Sequence, residues 1–453
     1  MDRAAFRTEF AAAARLAAPV AASQLGITLM GSVDTMMLGH LSALALAAGA
    51  LGNIITYCGL MLGFGILSAL DPLVSQAHGA GDAAAIGGHL QRGLVMAVAL
   101  TVPYILCFLD IEPLLRLSGQ PAGVSHDTAD YARGILWGVL PYFLFIALRQ
   151  TLQAMSEVRP AMVAILLGNL VNGACNWILI FGHLGAPALG VRGSALSTSI
   201  ARWTMFLYLL IASRRRLAPF WGGWRDFTAE AAKLRGHLLM LRIGVPIGLH
   251  NTVELAIFGA AAVLIGSIGV TELAGHQVAL NLASLSFMVP LGIAGAASTR
   301  VGNAIGRGDM PGARRAAAAS LLLGVGTMSG FAVLFATLPG PLGYLYTPDR
   351  GVIAVVAVLL PIAAVFQVFD GLQVVGAGVL RGSADTVFPA ASALFGYWAL
   401  GLPVGWFLAF RRGMGPSGLW WGFVVGLMAV ALLLLLRIAV RFRRGLVPAV
   451  QPT

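Results

Sequence analysis

Three carboxylates stand inside apolar runs of this chain, Asp34, Glu254 and Asp370, while the other 15 of its 18 acidic residues fall in polar connections or at helix ends. A carboxylate in hydrocarbon costs about 2.5–3.5 kcal/mol on insertion scales, so it ordinarily faces a water-filled cavity, a bound cation or a hydrogen-bonding neighbour. The reversible chemistry open to such a group is narrow: it ligates a hard cation such as Na+, or it takes up and releases a proton. A protonated structural acid bonded to a nearby carbonyl or amide is the plainer alternative.

Depth separates the three. Glu254 lies 12 residues from Arg242 and Asp370 lies 11 from Arg381, with each arginine at the same end of its segment. At 1.5 Å per residue both acids are then about 17 Å deep. Together they form a candidate coupling-ion site, with Na+ or a proton held between them, and Gln277 is a candidate third oxygen ligand. Asp34 stands 15 residues after Pro19, whereas Glu254 stands eight after Pro246. That seven-residue difference is two turns, so Asp34 shares the face but is displaced by about 10 Å. Asn172 and Asn176 are one turn apart and face the same way. With Asp34 they outline a second polar pocket, the alternative being plain hydrogen bonding between helices. Met30, Met36, Met37, Phe287 and Phe366 are candidate walls for varied substrates, although most such side chains simply pack.

The elements that must position these groups are membrane helices. Of 453 residues, 58% are hydrophobic and 10% charged, and the mean hydropathy is +0.86. A soluble surface cannot carry that much apolar side chain. Twelve apolar segments of about 20 residues follow, near 16–37, 47–70, 93–109, 134–153, 161–182, 194–212, 243–265, 274–297, 316–338, 352–380, 388–409 and 418–440. The first follows Arg3, Arg7 and Arg15 and is long enough to cross, so it is expected to remain as a helix rather than a cleaved signal. Cys58, Cys107 and Cys175 are scattered through apolar stretches without metal-ligand spacing, which points to packing.

Of the 29 Arg and Lys residues, 21 fall on the side of the two termini, six on the other, and Arg149 and Arg202 lie within segments. That bias places both termini in the cytoplasm and explains the net charge of +11 without nucleic acid. The expected division is an N-lobe at 1–212, a basic cytoplasmic linker at 213–242, a C-lobe at 243–440 and a tail at 441–453. The lobes repeat at an offset near 227: Pro19 matches Pro246, Gly39 matches Gly266, and HGAGD ending at Asp82 matches IGRGD ending at Asp309. MSEVRP likewise resembles RGSADTVFP with a short slip. The expected fold is an all-α polytopic membrane protein of twelve transmembrane helices. Its two six-helix lobes would be related by a pseudo-two-fold axis along the membrane normal, with binding between them.

SVDTMMLGHLSALALAAGALGN, SQAHGAGD, HNTVELAIF, LAGHQVALN and FDGLQVVGAGVLRGSADT resemble the multidrug and toxic compound extrusion (MATE) family, in its NorM-like branch. The resemblance implies antiport of cationic or amphipathic drugs and dyes against Na+ or H+ in a bacterial inner membrane. By position, Glu254 and Asp370 match the C-lobe acids implicated in coupling-ion binding. Asp34 matches the acid of the first helix, and Gln277 the glutamine of the eighth-helix motif. Asn176 departs from branches that carry an aspartate there, which weakens an N-lobe cation site. Phe287 and Phe366 lack the hydroxyl that tyrosine brings to comparable positions.

A lipid-linked oligosaccharide flippase shares such an architecture, but would be expected to hold more basic charge than Arg149 and Arg202 inside its cavity. An embedded enzyme would need a nucleophile, metal cluster or paired acids, and a channel would need a repeated selectivity motif; neither is visible. The expected partners are therefore drugs or dyes, a coupling cation and lipid, with the chain acting as a monomer and without a resident cofactor.

Overall fold

The structure is a computed structural model, describing residues 3–221 and 233–445. Those residues are helical with no strand among them. Sixteen helices run in order: α1 (Arg3–Leu41), α2 (Ala43–Leu67), α3 (Leu70–Ala80), α4 (Ala83–Phe108), α5 (Glu112–Leu117), α6 (Ala122–Leu136), α7 (Val139–Ala154) and α8 (Arg159–Phe181). There follow α9 (Gly190–Trp221), α10 (Leu234–Gly266), α11 (Val270–Gly306), α12 (Met310–Thr337), α13 (Pro339–Tyr344), α14 (Arg350–Gly382), α15 (Val387–Arg411) and α16 (Pro416–Arg444). Eleven spans are long and apolar enough to cross a membrane, and α6 with α7 adds a twelfth as one bent span.

The fourth expected segment, 134–153, is corrected: a helix begins at Ala122, breaks at Trp137–Gly138 and turns by 51° into α7. Pro141 in the first turn of α7 has no N–H to extend the preceding helix. Gly138 packs so closely on α9 that an added Cβ would lie 2.8 Å from the Ser199 Cα. The second segment also ends differently, because Pro72 interrupts the backbone ladder and α3 starts at Leu70. Asp71, read as a helix-end residue, is thereby buried at 1% exposure. α9 runs on to Trp221 and α10 starts at Leu234, so helix extends into both ends of the 213–242 stretch. Residues 222–232, and 446–453 of the tail, lie outside the described residues.

The repeat is visible in backbone detail. Gly81 and Gly308 both have φ of 72°, the left-handed conformation that glycine adopts without strain. Each is followed by an aspartate that caps the next helix: Asp82 accepts from Ala85 N at 2.9 Å, and Asp309 from Gly312 N at 2.7 Å. The chain forms two compact units, Ala22–Gly248, and Met1–Ala21 with Leu249–Thr453. Their limits fall just after Pro19 and Pro246, inside helices rather than in the linker. Residues up to Ala21 pack with the second unit, where Glu9 forms a two-pronged ion pair with Arg300.

Candidate functional site

In the unit Ala22–Gly248, three helices converge on Asp34. Its Oδ1 accepts from Asn172 Nδ2 at 3.0 Å and Asn176 Nδ2 at 2.6 Å, and its Oδ2 from Thr198 Oγ1 at 2.7 Å. The one-turn spacing of the asparagines on α8 aims both amides at one carboxylate, and Asn176 Nδ2 also lies 3.3 Å from Asn172 Oδ1. Asp34 is 6% exposed and both asparagines are fully buried. Asp34, Asn172 and Asn176 thus share one cluster. Thr198, from α9, was not among the candidates; it sits in an unremarkable Ser-Thr-Ser run, with no sign of a distant partner. Met30 is buried in the same unit, Met37 is half-buried and Met36 is 64% exposed.

In the other unit, α10, α14 and α15 gather around Glu254. Tyr397 Oη donates to Glu254 Oε1 at 3.0 Å, and His250 Nε2 stands 3.9 Å from Oε2. His250 Nδ1 lies 3.3 Å from the Pro389 carbonyl, which can only accept, so Nδ1 carries the hydrogen. Nε2 is then free to accept from the Gln373 amide at 3.2 Å. Asp370 is 4% exposed, within electrostatic reach of both Glu254 and Tyr397, and no described residue hydrogen-bonds to it. Gln367 and Gln373 lie three residues to either side of Asp370 on α14, each fully buried with its amide oxygen unpartnered.

Two carboxylates and a phenol offer only oxygen donors, which suits a hard cation or a proton better than a soft metal. Among the described residues no group of three or more His, Cys, Asp or Glu side chains gathers as a metal site.

Gln277 stands apart. It is exposed on α11, and no described residue hydrogen-bonds to it. Gly275, His276, Ala279 and Ala283 form the buried stripe, and the helical period carries Gln277 off it. His276 points inward instead and accepts from Trp420 Nε1 at 3.2 Å. Phe366 packs edge-on to Phe258 and Trp420, at 6.3 and 5.8 Å between ring centres, so it belongs to an aromatic core. Phe287 is half-buried. The one hydroxyl described as bonding to Glu254 belongs to Tyr397, on α15. Its signal was weak, a lone tyrosine in an apolar run, whereas His250 was legible four residues before Glu254 on the same face.

Comparison with known proteins agrees with this duplicated arrangement. The family model described as MatE matches twice, over residues 19–178 and 246–407, with starts separated by the repeat offset. The multidrug resistance protein NorM of Vibrio cholerae is 36% identical over 428 residues, 93% of each chain. The probable multidrug resistance protein NorM of Rhodopseudomonas palustris is 37% identical over 441 residues, 96% of this chain and 92% of its own. The crystal structure of the eukaryotic MATE transporter AtDTX14 shares the fold, with a TM-score of 0.86 at 24% identity over 97% of this chain and 98% of that one. With both halves matched and NorM proteins aligned along nearly its whole length, this chain belongs to the multidrug and toxic compound extrusion family, in the NorM-like branch.

Proposed function

We propose that this protein exports cationic or amphipathic organic molecules across a bacterial inner membrane by alternating access, in exchange for Na+ or H+. Glu254 and Asp370 hold the coupling ion, and Asp34 acts through the substrate pocket of its own unit. One observation carries the reading: two intramembrane acids, 116 positions apart in sequence, come within electrostatic reach of each other, and one of them has no hydrogen-bond donor. A bare buried carboxylate is costly unless something transient pairs with it, and a carried cation or proton is such a partner. The NorM relatives are named as multidrug resistance proteins, which supports drugs as the cargo.

The experiment is transport in proteoliposomes under separately imposed Na+ and H+ gradients. Drug export driven by one gradient, and lost in Glu254→Gln and Asp370→Asn, is the expected result. Export that persists in both variants would sink the assignment. Movement of lipid-linked sugar without drug export would favour the flippase reading instead.

A further inference from the structure

The two arginines within membrane helices have no role in the coupling scheme. Arg149 has a local partner: it is 5% exposed, its Nη2 donates to Gln24 Oε1 at 2.6 Å and the charge of Asp71 lies within reach, while its Nη1, like that of Arg202, is buried without a hydrogen-bond partner. Arg202 is different. No described carboxylate forms a contact ion pair with it, and its Nη1 is buried without a hydrogen-bond partner. Its guanidinium carbon lies 4.8 Å from the centre of the Tyr142 ring, a cation–π contact that fixes where the charge sits.

That position is informative. Thr198, which donates to Asp34 Oδ2, is one turn before Arg202 on the same face of α9. Same-face neighbours one turn apart have Cβ atoms about 6 Å apart. The carboxylate meets only neutral donors at contact distance, Asn172, Asn176 and Thr198. Arg202 stands one turn beyond Thr198 on α9, close enough for its charge to act on Asp34 without touching it. An incoming organic cation meets both the attraction of Asp34 and the repulsion of the guanidinium.

We propose that Arg202 is a specificity-determining residue of the Asp34 pocket: by offsetting the carboxylate it keeps the hold on an organic cation weak enough for release. The proposal rests on the reading that this pocket meets the substrate. At an effective dielectric near that of a protein interior, one unit charge a few ångströms away changes a cation's affinity by roughly tenfold or more. A tight counter-ion would be a trap, since an exporter must let its cargo go.

The test is equilibrium binding of tetraphenylphosphonium to the full-length protein in detergent, with no ion gradient, beside an uncharged probe, N-phenyl-1-naphthylamine. Arg202→Gln should bind the phosphonium about tenfold more tightly and leave the uncharged probe unchanged. In transport, its apparent KM and kcat for the cation should both fall. Arg202→Lys, which keeps the charge, should restore weak binding, and Asp34→Asn combined with Arg202→Gln should abolish the gain. Asn176→Asp reaches the same surplus of negative charge with Arg202 intact, and should also tighten the cation; it decides the matter if Arg202→Gln does not fold. The proposal is overturned if neither variant tightens the phosphonium, or if the uncharged probe gains as much. Because no gradient is present and Glu254 and Asp370 are intact, this outcome is independent of the coupling assignment.

Discussion

Asp34 and Asp370 are comparably buried, at 6% and 4% exposure, yet their surroundings differ. Asp34 accepts three hydrogen bonds from neutral side chains, while no described residue donates to Asp370. The charge of Asp34 is met by fixed neighbours, whereas that of Asp370 is left, under the proposed function, for the carried ion to meet. Glu254→Gln and Asp370→Asn should each abolish gradient-driven export without lowering the amount of folded protein, because neutralising a buried charge relieves desolvation. Ion-induced changes in intrinsic fluorescence of the purified variants check this, and wild-type responses in both would refute it. Asp34→Asn should instead shift substrate affinity or spectrum and keep an ion response. Thr198→Val removes the described donor to Asp34 Oδ2, so thermal unfolding in detergent should show a loss of about 1–3 kcal/mol.

At the scale of elements, proline and glycine decide how the helices run. Pro19 and Pro246 sit inside long helices at equivalent places, and Pro141 separates α6 from α7. The pairing of α15 with α16 depends on glycine. Gly401 and Gly405 on one helix face Gly422 and Gly426 on the other, Gly418 packs on the Ala409 backbone, and a Cβ on Gly422 would lie 2.6 Å from the Gly405 backbone nitrogen. Small residues one turn apart let membrane helices meet backbone to backbone. The same helix carries a π-turn at Leu394–Gly401, from within which Tyr397 reaches Glu254. Gly422→Val should therefore push α15 away, lowering the unfolding temperature by the equivalent of roughly 1–3 kcal/mol and weakening coupling through Tyr397. Wild-type stability in that variant would show that the close approach is dispensable.

For the whole molecule, the unequal distribution of Arg and Lys predicts that reporters fused at the C-terminus and within 213–242 both report cytoplasm. An external signal from either would overturn the orientation. Single Arg→Gln changes in that stretch should leave export nearly unaltered at normal expression, since positive charges orient helices collectively. The two units do not coincide with the stretches on either side of the linker, because Met1–Ala21 packs with Leu249–Thr453. Glu9 and Arg300, 291 positions apart, mark that crossing.

Helix number, the repeat and the three costly acids were legible because each is a one-dimensional signal: hydropathy has a length, a duplication has an offset, and a carboxylate among apolar residues is conspicuous. Asn172 and Asn176 could be set beside each other because their spacing is a helical turn. What answers a carboxylate from another helix has no local mark. Thr198 and Tyr397 look ordinary in sequence, and only the packing of α11 shows that Gln277 is exposed, off that helix's buried stripe. The break at Trp137–Gly138 and the transfer of residues up to Ala21 to the other unit depend on close contact between distant backbones. Sequence determined which groups are costly to bury; packing alone determined which of them meet.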